Sequence, residues 1–551
     1  MAQINSRQDE KKRWRILAED LGVKEAENIS SLHDIKRRIG KTMQRNNIPS
    51  NSELLDMLSV DKRKQHLQLL KIKPTKSASG IAVIAVMTKP YNCPHGVCIF
   101  CPGGEKMGTP QSYLPTEPAT MRALEAEYEP DRQIESRFNQ LRKIGHYVDK
   151  VELLIIGGTF MNLPFEYQES FVKSCYDTLN GIKSRDINHA KEIAEKSVVK
   201  NVGLSVETKP DWCKQKHIDL ALDFGVTRIE IGIQTLSDEI YKKTNRGHTL
   251  LDVEESLQIS KDAGYKIVAH MMPGLPGSNL QKDFDDFITL FNDQKYKPDM
   301  LKIYPTLVVP DTGLHKMYLD DKFEPYTTEE VVDLLARVKK EIPPWVRIMR
   351  IQREISEEYI EAGTGKGNVR ELIIERMKQR GDKCKCIRCR EIGLKQLKEK
   401  LEINEYDIEI KNINYESSEG EEYFISAEEK NTESLIGFVR MRIPSNKAHR
   451  REVIGNTAII RELHVYGQVV PIGERDTKSW QHKGTGTKLM QEAERLAKEE
   501  LSIRKLLVIS AVGTREYYKR FGYYPQIEAL FYFNDDDPSG ATDNLASIYF
   551  D

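Results

Sequence analysis

Between Ile81 and Arg350 the sequence alternates short β-branched runs with amphipathic stretches, and this alternation constrains the fold more than any other feature. The runs IAVIAVM, VELLIIGG, NVGLSVE, TRIEIGIQ, YKIVAHMM and DMLKIYPTLV are separated by segments of helical apolar spacing, such as LLDVEESLQISKDAG. Six such repeats predict an α/β architecture: a parallel sheet curled into a partial (β/α)6 barrel, with functional residues at the C-terminal strand ends. A basic, cysteine-bearing connector follows. After it SLIGFVRMRI, NTAIIRELHVYG and KLLVISAV read as strands around a helix at 487–500, which makes a second α/β domain. The expected organisation is a small helical region at 1–75, the barrel at 76–370, the connector at 371–400 and the second domain at 401–551.

Charge narrows the partners. The 551 residues carry 83 Lys and Arg against 84 Asp and Glu, so no whole-molecule field drives binding to nucleic acid or membrane. Any such site is a local patch. Residues 1–80 hold 17 Lys and Arg against 10 Asp and Glu, on segments whose apolar spacing (Trp14, Ile16, Leu17, Leu21) is helical. They read either as a nucleic-acid-binding end or as a solvated helical face. The longest apolar runs, 81–87 and 151–156, fall far short of the roughly 18 residues of a spanning helix. The first twenty residues lack the apolar core of a leader, so a cytoplasmic protein with no membrane contact is expected.

Six of the eight cysteines fall in two tight clusters, which in a reducing compartment reads as metal ligation rather than disulfides. In NCPHGVCIFCPGG, Cys93, Cys98 and Cys101 follow the first strand on a glycine- and proline-rich loop. Three thiolates leave one iron of a [4Fe-4S] cluster open, able to chelate S-adenosylmethionine and cleave it to a deoxyadenosyl radical. Phe100 would pack on that ligand. The competing reading is a zinc site completed by His95. Gly157, Gly158 and Thr159 end the second strand, where absent side chains let backbone approach a ligand. Glu207 ends the third, and Arg228, Glu230 and Gln234 lie on the fourth, suited to ribose hydroxyls and a carboxylate. His270 to Gly277 (HMMPGLPG) ends the fifth. Together these segments resemble the radical S-adenosylmethionine superfamily, with one extra residue between the first two cysteines relative to its commonest spacing.

In the second domain, QHKGTG follows a strand and opens a helix, so the backbone around Gly484, Thr485 and Gly486 is placed to bind a pyrophosphate. The order strand 459–466, glycine loop, helix, strand 506–510 and then Tyr517-Tyr518-x-x-x-Gly522-Tyr523 resembles the GNAT acetyltransferase fold. In that fold a splayed strand meets pantetheine and a late tyrosine reaches the CoA sulfur. Tyr517 and Tyr518 are the candidates, and the one facing the core is a packing residue.

The phrases SASGIAVIAVMTKP, CPHGVCIFCPGG, GGTFM, NRGHT, AHMMPGLP, IYPTLV, GNVRELI, RELHVYG and GTREYYKRFGY resemble those of the Elongator catalytic-subunit family, from about Lys73 to Tyr523. The resemblance implies a tRNA uridine acetyltransferase that forms 5-carboxymethyluridine at the wobble position. It implies that Lys150 and the strand Arg461, Glu462, Leu463, His464 and Val465 contact acetyl-CoA. It also implies that the deoxyadenosyl radical takes hydrogen from the acetyl methyl group, after which the carbon radical adds to uridine and the thioester is hydrolysed. tRNA and an electron donor are the implied partners, with a homodimer or partner subunits both open.

Cys384, Cys386 and Cys389 (CKCIRC) in the basic connector suit a structural zinc. His315, His270 and Cys213 are the candidate fourth ligands, while Cys175 and Cys213 read as buried thiols. The alternative function is a protein lysine acetyltransferase with a structural iron-sulfur cluster. Glu462 is then the one acidic residue in view as its base.

Overall fold

The computed structural model describes residues 36–37, 50–58, 63, 67, 70–399, 401, 403–467, 484–525 and 545–549. Most of the basic region expected at 1–75, and Gln481 to Lys483 of the glycine loop, lie outside the described residues. Among the described residues, no helix is long and apolar enough to cross a membrane.

The first sheet contains β1 (Ala82–Met87), β2 (Lys150–Ile156), β3 (Lys200–Thr208), β4 (Arg228–Gln234), β5 (Lys266–Met271), β6 (Met300–Ile303) and β7 (Arg347–Ile351). They lie side by side in chain order, and every pair is parallel. The six expected strands are present, and β7 is a seventh. Its sequence RIMRI conceals a strand because two arginines interrupt the apolar pattern. Both have uses that tertiary structure reveals: Arg347 donates to Tyr466 Oη at 2.9 Å and pairs with Glu391, and Arg350 lines the interior cavity. β1 and β7 are the open edges of the partial barrel.

β4 shows how one strand serves two environments. Ile229, Ile231 and Ile233 are buried in the core beneath the outer helices, while Arg228, Glu230, Gly232 and Gln234 face the barrel interior. Period-two alternation with both faces covered explains why the strand reads RIEIGIQ rather than as a continuous apolar run. The core fills the space between sheet and helices, among them 165–180, 250–262 and 328–341.

The second sheet holds β8 (Ile408–Ser417), β9 (Gly420–Glu429), β10 (Leu435–Ile443), β11 (Thr457–Val465), β12 (Lys505–Ile509), β13 (Tyr524–Pro525) and β14 (Leu545–Tyr549), in the order 13-14-12-11-10-9-8. Only β11 and β12 are parallel neighbours, and their register stops at Ile460 opposite Val508. β10, by contrast, follows β11 through Val465. The last five residues of β11 therefore splay from β12.

The two domains meet at the barrel base through fully buried ions. Arg461 donates to Asp299 at 2.9 and 2.6 Å and to Glu422 at 2.8 Å; Arg442 donates to Asp262 at 2.8 and 2.6 Å and to Glu422 at 3.1 Å. Such burial is tolerated because every carboxylate is matched by forked guanidinium donors. Ile509 and Val512 of the second domain join the barrel's own core, and Trp345 stacks on Tyr415 at 4.1 Å.

Candidate active site

The barrel interior encloses a cavity of about 310 Å³. It reaches from the cysteine loop at the C-terminal strand ends down to Arg228 at the start of β4, a strand of seven residues and hence about 20 Å.

Cys93, Cys98 and Cys101 all line the cavity. Each has its own donor. Thr159 bonds the Cys93 sulfur, and Ser112 and Gln111 bond that of Cys101. His95 Nε2 lies 3.2 Å from Cys98 Sγ and Arg246 Nη1 at 3.7 Å. Burial, and then the neighbouring Cys98, raise Cys93 and push Cys101 up to about 12, so a bound metal group is what would hold them as thiolates. Among the described residues, the ligand groups gathered within 4.8 Å are Cys384/Cys386/Cys389 and Glu207/Glu230/His270. Cys93, Cys98 and Cys101 are spread more widely, as a four-iron cluster requires and a single ion does not. The zinc reading also fails on His95. Lys209 Nζ, which can only donate, sits 3.0 Å from its Nδ1, so that nitrogen is the acceptor and Nε2–H points at Cys98. Neither nitrogen is left for a metal. The residues present fit a [4Fe-4S] cluster.

The S-adenosylmethionine candidates divide. Gly158, Thr159, Glu207 and Gln234 stand at the cysteine end of the cavity. Gly157 supports them from behind: at φ +138° a Cβ there would lie 2.1 Å from Thr88 Oγ1, so only glycine fits the turn. Glu207 accepts from Tyr113 Oη at 2.6 Å. Arg228 stands apart at the cavity floor, paired with Glu152 and 3.8 Å from Glu230.

Sequence reasoning named Glu207, Glu230 and His270 but passed over Lys302, the cation that joins them in the middle of the cavity. Lys302 on β6 bonds Glu230 and lies 3.9 Å from Glu207, while His270 Nε2 is 3.0 Å from Glu230. Burial opposes ionisation of Glu230, but Lys302, His270 and Arg228 overcome it and hold the carboxyl well below its usual range. The Lys302 ammonium thus occupies the place a cation would take among Glu207, Glu230 and His270. Only the parallel register of β4, β5 and β6 brings these residues together.

In the second domain, Gly484 (φ +75°) precedes the helix Thr485–Arg495, whose first-turn N–H groups lack helical partners. A Cβ on Gly486 would lie 2.7 Å from Tyr517 Oη and 3.7 Å from Val465. Tyr517, the glycine turn and the splayed end of β11 therefore form one cradle, which fits an acyl-CoA. Tyr517 is half-buried there, whereas Tyr518 is buried in the core against Tyr523 and edge-on to Tyr517. Tyr518 is thus corrected to a packing residue. Glu462, Leu463, His464 and Val465 are part-exposed along the splay, but the Arg461 side chain is spent on the junction, which leaves only its backbone to face a ligand. His464 Nε2 contacts Ser79 O at 3.1 Å. Lys150 opens β2 at the barrel base, its pKa lowered by burial.

Cys384, Cys386 and Cys389 converge tightly at the junction, and what caps them is Lys339 Nζ, 3.2 Å from Cys384 Sγ and 3.6 Å from Cys389 Sγ. Burial works against the Lys339 charge, and the three thiols more than offset it. The three candidate fourth ligands lie elsewhere. His270 is in the cavity, His315 is on the helix Gly313–Leu319, and Cys213 contacts Ser260 at 3.3 Å. Three cations of the connector's basic run are paired, Arg376 to Glu329 at 2.6 Å, Arg380 to Asp333 at 3.1 Å and Arg390 to Glu428 at 2.6 Å, while Lys378, Lys383 and Lys385 are exposed.

Known families agree with this geometry. Models of the radical SAM superfamily, the radical SAM C-terminal domain and the acetyltransferase (GNAT) family match residues 87–291, 298–379 and 389–523. Fold and site together define a radical S-adenosylmethionine barrel joined to a GNAT acetyltransferase domain. Human Elongator complex protein 3 is 41% identical over 501 residues, 89% of this chain and 91% of its own. A tRNA uridine(34) acetyltransferase of Methanocaldococcus jannaschii is 44% identical over 480 residues, 86% and 88% of the two chains. A solved structure of the archaeal Methanocaldococcus infernus Elp3, with N-terminus deletion 1–46, superposes with a TM-score of 0.73 at 37% identity, covering 86% of this chain and all of that one. The chain belongs to the Elongator complex protein 3 family.

Proposed function

We propose that the chain modifies uridine 34 of tRNA, using acetyl-CoA and S-adenosylmethionine to form 5-carboxymethyluridine. One observation carries the reading. A cavity headed by three donor-bonded cysteines ends on a floor whose charges adjoin the acyl-CoA strand: Arg228 pairs with Glu152, and Lys266 is electrostatically linked to both and to Glu462 of β11. The relatives named for tRNA uridine(34) acetylation support the substrate.

Bound at Cys93, Cys98 and Cys101, the cluster and S-adenosylmethionine supply a hydrogen-abstracting carbon radical. Gly158, Thr159, Glu207 and Gln234 bind and orient the cofactor, and the Glu230–Lys302–His270 set keeps the chamber's charge balanced. The backbone of β11 from Arg461 to Val465 and the turn at Gly484 to Gly486 hold acetyl-CoA. Tyr517 faces its thioester; burial raises the phenol's pKa against the pull of Arg520, so it stays protonated and able to donate to the departing thiolate. Cys384, Cys386 and Cys389 hold a structural zinc, with Lys339 balancing the charge of the thiolates. The basic N-terminal region meets the tRNA, a separate protein donates the electron, and the cytoplasm is the proposed compartment.

The lysine acetyltransferase alternative loses its base, because Glu462 is committed to Arg440 at 2.8 Å. Mass spectrometry of tRNA nucleosides after incubation with S-adenosylmethionine, acetyl-CoA and a reductant tests the proposal. Carboxymethylated uridine is the expected product. Acetylation of a lysine peptide independent of tRNA and S-adenosylmethionine, with no modified nucleoside, would overturn it.

A further inference from the structure

Cys98 differs from the other two cysteines in what surrounds its sulfur. Two N–H donors converge on it from separate loops, and both are tied to fixed positive charge. Arg246 is fully embedded: its Nη1 lies 3.7 Å from the sulfur and its Nη2 donates to Gly232 O at 2.7 Å, which locks the guanidinium plane. His95 approaches from the other side at 3.2 Å. Its proton is placed by Lys209, whose Nζ lies 3.0 Å from Nδ1 and 3.2 Å from Asp211. An ammonium has no lone pair, so Nδ1 must accept and Nε2–H must donate to sulfur.

The chain builds this arrangement deliberately. The segment 244–249 clamps the cysteine loop: Ile99 N donates to Thr244 O at 3.1 Å and Asn245 Nδ2 to Val97 O at 2.9 Å. Gly247, at φ +72°, lies so near His95 that a Cβ would sit 2.6 Å from the histidine's own Cβ. A side chain there would push the imidazole off the sulfur. NRGHT thus supplies in five residues the clamp, the cation and the clearance.

Hydrogen bonds and positive charge at a cluster's sulfurs favour its reduced, more negative form. Resting on the reading of Cys93, Cys98 and Cys101 as cluster ligands, we propose that Arg246 and the Lys209–His95 relay are positioning residues that raise the cluster's reduction potential through Cys98. They bring it within reach of the electron donor. Cys93 and Cys101 feel the same cations only through space, their hydrogen bonds coming from the neutral groups Thr159, Ser112 and Gln111, so Cys98 alone of the three is bonded by the charged side chain and the charge-tied imidazole.

The test is an EPR-monitored redox titration of anaerobically reconstituted full-length enzyme, with iron and sulfide content measured on each sample. Arg246→Gln and Lys209→Met should both shift the midpoint to more negative potential, Arg246→Gln by more. Arg246→Lys should stay near the wild type. Lys209→Met leaves the loop clamp untouched, so it decides the matter if Arg246→Gln assembles its cluster poorly. Full iron content with unshifted midpoints in Lys209→Met and in whichever Arg246 variants assemble would overturn the proposal. Failure of the wild type itself to take up iron would instead overturn the cluster reading on which it rests.

Discussion

The two three-cysteine sites hold the same thiols at similar spacing and are built for opposite ends. Cys93, Cys98 and Cys101 sit apart on a loop, each with its own donor, facing a cavity. Cys384, Cys386 and Cys389 crowd within 4.8 Å of one another at the domain junction, capped by a buried ammonium. Cys386 belongs to the barrel core and the adjacent Ile387 to the core of the acetyltransferase domain. The difference teaches that ligand count does not assign a metal site. Sulfurs that stay apart and face open space suit a group that must meet a substrate; sulfurs closed on one another suit an ion that only holds chain segments together.

The largest expected effect breaks the comparison outright. Cys98→Ala should abolish deoxyadenosine production while leaving any junction zinc in place. Cys386→Ala should do the reverse, sparing cluster iron while lowering the thermal midpoint. Metal analysis and S-adenosylmethionine cleavage on the same two proteins check both halves, and zinc lost from Cys98→Ala, or cleavage lost from a folded Cys386→Ala enzyme, would contradict them.

A smaller effect sharpens it. Three thiolates and a zinc dication leave one negative charge, which the Lys339 ammonium balances while bonding two of the sulfurs. Outer-sphere partners of this kind are typically worth 10–100-fold in metal affinity, so Lys339→Met should weaken zinc retention by about that factor. Chelator competition measures it, and unchanged retention would show that Lys339 merely fills space.

Much of this was legible in the sequence, and what was not shares a cause. The parallel strands, the cysteine loop, the glycine turn and the late tyrosine pair are local signals, readable from periodicity and spacing. Lys302, Arg246, Lys209 and Lys339 carry no local mark, because each acquires its role from a partner far along the chain: Glu230, Cys98, His95 and Cys384 respectively. Strand β7 was hidden for the same reason, since its arginines serve the cavity and the junction. Arg461 shows the converse. It sits in a strand assigned to acetyl-CoA, yet its side chain is what fastens that strand to Asp299 on the barrel. The choice between Tyr517 and Tyr518 needed the close approach of Gly486.

The smallest effect compares two buried lysines, one in each region. In the cavity, burial would discharge Lys302, but Glu230, Tyr304 and Glu207 keep its pKa above the ordinary value. At the junction Lys261 is fully buried among Glu422, Asp299, Arg461 and Arg442, and burial brings it down to about 7 despite the two carboxylates. An unfolded lysine keeps its proton to about pH 10.4. Between those values the unfolded chain binds more protons than the folded one, so stability rises with pH and is lost as pH falls back toward 7. Below 7 both states are protonated and the slope vanishes. The contribution is at most about 1.4 kcal/mol per pH unit. Lys261→Met removes it, so between pH 7.5 and 8.5 the thermal midpoint of the wild type should rise relative to that of the variant. Parallel midpoints for the two proteins across that window would mean that Lys261 stays charged in the folded junction, as Lys302 does in the cavity.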